Sequence, residues 1–335
     1  MATTEPAPAA SQEAWFIYRG DGRPHDGLDR LPPPPPWRRF DRPGPDRRRD
    51  RAISYRADKN VVTMVNAAIY LRRPLLVTGK PGTGKSTLAY NVAYELGLEP
   101  VLYWPITSKS TLAQGLYHYD AIGRLHETSL RQAMSSAADG EAPDIGRFIR
   151  LGPLGTALLP RQRPRVLLID ELDKSDIDLP NDLLNVFEEG GFAIPELERL
   201  PEEQSIVHVM TNDGQDRVPV ERGQVRCSAF PIVIITSNGE REFPPAFLRR
   251  CIRLMIEQPG PEQLAEIVEA HLGKEAREQS ADLIEEFLQR RTRGELATDQ
   301  LLNAIYLATS GARAPQATME ELREAVLRPL DAAGS

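Results

Sequence analysis

Gly79-Lys80-Pro81-Gly82-Thr83-Gly84-Lys85-Ser86-Thr87 is the stretch that decides how this chain folds. Its spacing is G-x-x-x-x-G-K-[ST], and its flanks supply the context that the spacing requires. Pro74-Leu-Leu-Val-Thr78 reads as a short buried strand, and the apolar spacing from Ser86 to about Leu96, stopped by Gly97, reads as a helix. A glycine-rich turn between strand and helix wraps closely around an anion, with loop amides and the helix N-terminus facing it. Gly79, Pro81, Gly82, Thr83 and Gly84 would form the cradle, Lys85 would meet the β- and γ-phosphate oxygens, and Ser86, beside Thr87, would offer its hydroxyl to Mg²⁺.

Further apolar strands follow, and the polar residues that close them carry the next signals. Val166-Leu-Leu-Ile-Asp170-Glu171 ends in two acids. A carboxylate at the carboxyl edge of a buried strand lies where the metal of a bound nucleotide belongs, so Asp170 is the second metal-ligand candidate after Ser86. Glu171 can then hold and deprotonate an attacking water. Ile234-Ile-Thr-Ser-Asn238 brings an amide to the tip of another strand, where it could orient that water, although Asn-Gly is also an ordinary turn signal. Pro244-Pro-Ala-Phe-Leu-Arg249-Arg250-Cys251 reads as a short helix ending in two arginines before the strand 252–256. Such a pair is either a solvated surface feature or an arginine finger for a neighbouring subunit.

Val101-Leu-Tyr-Trp104 completes a set of five strands separated by helical stretches, the pattern of a parallel sheet covered on both faces. After Pro259 strands give way to amphipathic helices at 262–271, 281–290, 299–309 and 319–330. The predicted fold class is therefore α/β, with a five-stranded core over 58–256 and a smaller all-helical lid over 257–335. Two insertions interrupt the core. Residues 107–160 contain Tyr117-His118-Tyr119, whose lone histidine reads as packing in preference to chemistry. Residues 192–228 hold a hairpin turning at Asp213-Gly214, read as a partner-contacting element or a structural flap.

Residues 1–57 form a Pro/Arg-rich tail, expected to be extended. Ten of the 29 prolines fall before residue 46, five of them consecutively at 32–36. Such chain favours solvated polyproline geometry and builds no core of its own. Its aromatics, from Trp15 to Tyr18 and at Trp37, either dock on the parent domain or belong to a peptide that orders on a partner. Seven arginines lie between Arg38 and Arg51, but the whole chain carries net charge −7, which argues against a general nucleic-acid binder. Two cysteines without a CxxC suit a reducing compartment. No stretch nears the roughly 18 apolar residues of a membrane span, and the N-terminus lacks the pattern of a signal peptide. A cytoplasmic protein without membrane insertion is expected.

Taken in order, GKPGTGKST, VLLIDE, IITSN and FLRRC resemble Walker A, Walker B, sensor 1 and the arginine finger of the AAA+ ATPases, a branch of the P-loop nucleoside triphosphatases. More narrowly, Thr111-Leu-Ala-Gln-Gly-Leu-Tyr-His-Tyr-Asp120, Gly152-Pro-Leu-Gly155 and Asn181-Asp-Leu-Leu-Asn-Val-Phe-Glu188 resemble the MoxR-like branch, related to the AAA modules of magnesium chelatase and dynein. The likeness covers about residues 58–325. It implies ATP as the nucleotide, with Mg²⁺, Glu171 as base, Asn238 as sensor, and Arg250 as finger with Arg249 in reserve. A finger of this kind serves the next subunit, which implies a ring, a homo-hexamer. The usual sensor 2 arginine is missing from Ala297-Thr-Asp-Gln-Leu-Leu-Asn303, leaving Arg293 and Arg313 as substitutes.

Three functions follow from this reading. One is a chaperone-like ATPase that remodels a protein partner, as MoxR-like proteins are thought to do with von Willebrand factor A domain proteins. The second is a nucleotide-gated scaffold or switch in a multi-protein stress or defence system, with little turnover. The third, a nucleic-acid motor, rests only on the arginine-rich stretch.

Overall fold

A computed structural model of the chain describes residues 16–20, 22–39, 52, 55–134, 143–214, 217–309 and 316–329. They divide into two compact units, one drawn from 48–80 and 84–257, the other from 1–47, 81–83 and 258–335. The larger runs through α1 (Lys59–Leu71), β1 (Leu75–Thr78), α2 (Lys85–Leu96), β2 (Leu102–Pro105), α3 (Leu112–Leu116), β3 (Tyr117–Tyr119) and α4 (Ala121–Met134). It continues with β4 (Ile149–Leu151), α5 (Pro153–Ala157), β5 (Val166–Asp170), α6 (Leu179–Glu189), β6 (Gly191–Ala193) and α7 (Pro195–Glu198). β7 (Ile206–Met210), β8 (Arg217–Glu221), β9 (Gln224–Arg226), β10 (Ile232–Ser237), α8 (Pro245–Leu248) and β11 (Ile252–Met255) complete it.

The main sheet is five-stranded and wholly parallel, in the order β11-β1-β10-β5-β2. Strand pleating sends alternate side chains to opposite faces, and both faces are covered. Leu76, Leu102, Leu167, Ile169, Val233 and Ile235 enter one apolar cluster. Leu75, Val77, Val166, Leu168, Ile232 and Ile234 enter the other. This is why the strands read as unbroken apolar runs. Each fully buried Leu or Ile contributes about 1.5–3 kcal/mol relative to exposure. Packing also reaches back past the boundary drawn at 58: Ala52 is fully buried, its carbonyl accepts from Asn91 Nδ2, and Tyr55 packs on the second cluster.

The two insertions supply most of a second, six-stranded sheet that the sequence reading did not anticipate, ordered β3-β4-β7-β8-β9-β6. β4 and β7 pair in parallel and the other neighbours antiparallel. Ile149, Leu151, Val207, Val209, Val220 and Val225 point into the cluster that also covers the main sheet. The 206–221 hairpin is thus anchored along its inner face, while Ile206 and His208 are exposed. The sheet's edge strands meet through side chains: the Tyr117 ring stacks on Phe192 at 6.3 Å, and its hydroxyl donates to Glu196 Oε2 at 2.8 Å. Tyr119 accepts from Arg124, so both tyrosines are held by contacts, whereas His118, expected to pack, is exposed because the strand pleat turns it outward.

The smaller unit contains α9 (Pro261–Leu272), α10 (Lys274–Gln279), α11 (Ala281–Arg291), α12 (Thr298–Thr309) and α13 (Gln316–Val326), against four helices expected. Leu264, Val268, Leu283, Ile284, Phe287, Leu301 and Ile305 form its core. An extended tail was expected over 1–57, but residues 27–30 and 36–38 form tight helical turns, and Trp37 packs on this core. Trp15 and the arginines between 42 and 51 lie outside the described residues.

Gly155 in α5 shows how closely the backbone is packed beneath β3. A Cβ there would lie 1.9 Å from the Leu116 carbonyl oxygen and 3.1 Å from the Phe192 ring. Because the obstacle is backbone, Gly155→Ala should lower unfolding stability by about 1–3 kcal/mol. Chemical denaturation will measure it; an unchanged midpoint would show that α5 and the β3 turn move apart freely.

Candidate active site

In a parallel sheet buried on both faces, polar groups emerge at strand ends, and here three carboxyl ends converge. The glycine-rich loop follows β1, Asp170 closes β5, and Asn238 follows β10, which lies between them. Gly82 and Gly84 take positive φ of 75° and 86°, the left-handed region in which a Cβ is strained. Lys85 opens α2 and is only 7% exposed, its Nζ donating to the carbonyls of Gly79 and Lys80, both at 2.8 Å. Burial pulls the ammonium's pKa below its usual value, while Asp173, Glu171 and Asp170 pull it back up.

Asp170 is the hub. Its Oδ1 accepts from Ser86 Oγ at 2.6 Å and from Thr236 Oγ1 at 2.7 Å, and its Oδ2 from the Tyr103 hydroxyl at 3.3 Å. Thr236 in turn accepts from the Glu171 amide at 2.8 Å. Glu171 has φ of 61°, in the left-handed region that a residue with a Cβ seldom adopts. Its carboxylate is held between Asn238 Nδ2 at 3.3 Å and Lys174 Nζ at 2.7 Å, and that bond raises the lysine's pKa.

Asp173, 2% exposed, fixes the turn after β10 by accepting from the amides of Asn238 and Glu240 at 2.9 and 3.0 Å. Its Oδ1 is buried without a hydrogen-bond partner among the described residues.

A serine hydroxyl beside a carboxylate, next to a buried ammonium within a glycine-rich loop, is a donor set that fits a nucleoside triphosphate with Mg²⁺. The ammonium and loop suit phosphate, and Mg²⁺ takes one or two protein oxygens together with phosphate and water. The structure thus brings together Gly79, Gly84, Lys85, Ser86, Asp170, Glu171 and Asn238, with Thr87 in the first turn of α2. Sequence reasoning missed Thr236, Tyr103, Asp173 and Lys174. Thr236 stands on β10 two residues before Asn238, a polar spacing at a strand's end that could have flagged it. Tyr103 is legible only once β2 is known to neighbour β5.

Arg249 and Arg250 lie elsewhere. They precede β11, whose Ile252 amide bonds to the Pro74 carbonyl ahead of β1, so they stand at the amino end of the sheet, away from the glycine-rich loop. Arg250 Nε pairs with Glu188 Oε1 at 2.5 Å, and the Arg249 carbonyl accepts from Arg73. Arg293 follows α11 in the smaller unit, and Arg313 lies outside the described residues.

Residues 74–251 match the AAA domain of the dynein-related subfamily. The match spans just over half of the 335 residues, from the start of β1 through the arginine pair. The chain belongs to this family of AAA+ ATPases, and the expected α/β core with its parallel five-stranded sheet is present. Comparison with curated proteins found no match. Among the described residues no helix is long and apolar enough to cross a membrane.

Tyr103 gives the site a pH signature. Burial, with the Asp170 charge adding to it, pushes its hydroxyl up from 10.0 to about 12. A raised phenol favours the neutral form in the fold, so its contribution is complete below pH 10.0 and is lost as the pH climbs to about 12. Alkaline unfolding should therefore weaken the wild type between those values more than Tyr103→Phe; parallel curves would show that the fold does not raise this hydroxyl.

Proposed function

We propose that this protein is a MoxR-like AAA+ ATPase that hydrolyses ATP within a ring oligomer, a hexamer, and uses turnover to remodel or activate a protein partner. The observation that carries the hydrolytic part is the Glu171 carboxylate held by Asn238 beside the Ser86–Asp170 pair. Lys85 and the loop amides bind and orient the triphosphate. Ser86 and Asp170 would hold Mg²⁺, which would neutralise phosphate charge. Glu171 takes the proton of the attacking water at its carboxylate, and Asn238 aligns that carboxylate. Arg249 and Arg250 lie at the amino end of the sheet, away from their own chain's glycine-rich loop, which supports a finger acting in trans. The MoxR-like branch rests on the motif resemblance, and a von Willebrand factor A domain protein is the partner class which that branch suggests.

The Lys174–Glu171 ion pair favours a second reading, a nucleotide-gated switch with little turnover, because it engages the base. The absence of an arginine from 297–303 points the same way.

Lys85→Ala should lose nucleotide binding, while Glu171→Gln should keep binding and lower turnover by roughly 10²- to 10⁴-fold. Wild-type turnover in Glu171→Gln would remove Glu171 as the base. Negligible turnover by the wild type with every partner, alongside ATP-dependent assembly, would select the switch.

Arg250→Ala should lose on the order of 10³-fold in rate. Mixing it with Lys85→Ala subunits should restore part of the activity, since each supplies what its neighbour lacks. Absence of rescue in mixed rings argues against a finger acting in trans.

A further inference from the structure

The consecutive prolines that stand out in the sequence occupy a defined place. Trp37, which ends the run, packs against the core of the helical unit and makes edge contacts with His271 and Tyr306, ring centroids 6.4 and 6.0 Å away. The Tyr306 hydroxyl donates to the Pro33 carbonyl. Beside these contacts remains a cavity bounded by the prolines, Arg39, His271, Leu272, Tyr306 and Thr309. His271 and Leu272 end α9, and Tyr306 and Thr309 share one face of α12.

We propose that the helical unit carries a polyproline-recognition groove between α9 and α12, and that Pro32–Trp37 is its tethered, exchangeable ligand. Polyproline chain arrives already extended, so it binds with little loss of conformational entropy, and here the run ends in the turn at 36–38, closed by the Arg38 amide donating to the Pro35 carbonyl, which presents Trp37. The groove offers what such a segment lacks: aromatic rings for the prolines, a hydroxyl donor for a carbonyl, and an apolar seat for the terminal tryptophan. Charge agrees, since Arg38 and Arg39 follow the anchor and residues 258–335 carry fourteen acidic against eight basic residues. Incomplete packing around the prolines separates this contact from a buried core strand. A groove with these features takes other proline-rich segments ending in tryptophan and arginine, and the tail competes with them from within the chain.

The competition is measurable. A short flexible tether gives an effective concentration of about 1 mM, so a peptide of roughly 100 μM affinity is suppressed about tenfold by the docked segment. The probe is a fluorescent peptide of residues 31–39, LPPPPPWRR, titrated into the full chain by anisotropy. Trp37→Ala should bind it at least tenfold more tightly than the wild type. Tyr306→Ala added to that background should abolish binding, and a peptide with tryptophan replaced by alanine should not bind.

Should Trp37→Ala fail to fold, judged by circular dichroism, the double variant Pro33→Gly/Pro34→Gly keeps the anchor but loosens the segment. It should bind the probe more tightly than the wild type. Equal binding by wild type and variants, binding by neither folded variant, or equal binding of a peptide with serines in place of the prolines would each overturn the proposal.

Discussion

Asp170 ends a strand whose four preceding residues are fully buried, so its carboxylate is the first group on β5 that reaches the sheet edge. What meets it comes from three separate elements: Ser86 from α2, Thr236 from β10 and Tyr103 from β2. Hydrogen bonds to a carboxylate, worth about 1.5–3 kcal/mol each, are stronger than those between neutral groups. The register of the sheet, the entry angle of α2 and the position of the glycine-rich loop are all read out at this one side chain. The backbone of Glu171 follows from it, because its amide bonds to the same Thr236 hydroxyl that serves Asp170.

The second sheet shows how inserted chain becomes scaffold. β4, β7, β8 and β9 send their inward side chains into the cluster that covers one face of the main sheet, so the insertions share its core. Gly155 permits the close backbone approach, and Tyr117 with Phe192 and Glu196 joins the two edges. What stays exposed on this sheet, including Ile206 and His208, is the face that pleating turns outward.

Charge within the site is arranged so that each ionised group has a counterpart. The Lys85 ammonium, penalised by burial, lies among Asp170, Glu171 and Asp173, and Glu171 itself bonds to Lys174. Asp173 spends one oxygen on two backbone amides and thereby fixes the turn from which Asn238 reaches Glu171. Asp173, through Asn238, and Lys174 thus decide where the Glu171 carboxylate points.

The glycine-rich loop, the five parallel strands, the acid pair Asp170-Glu171 that closes one of them and four helices of the smaller unit were legible in the sequence, because each depends on neighbours within a few residues. Spacing and apolar period are local quantities. Thr236 had a local signal in its spacing from Asn238, but Tyr103, Asp173 and Lys174 carry none, since their roles come from strand order and from turns that bring distant segments together. Of the second sheet the hairpin of β7 and β8 was legible from its Asp213-Gly214 turn, whereas β3, β4, β6 and β9, three residues each, fall below the length at which alternation is distinctive. The proline run was plain to see, but its place was not. Polyproline chain makes no contacts of its own, and only the folded helical unit, by bringing His271 and Tyr306 together, gives Trp37 a surface to meet.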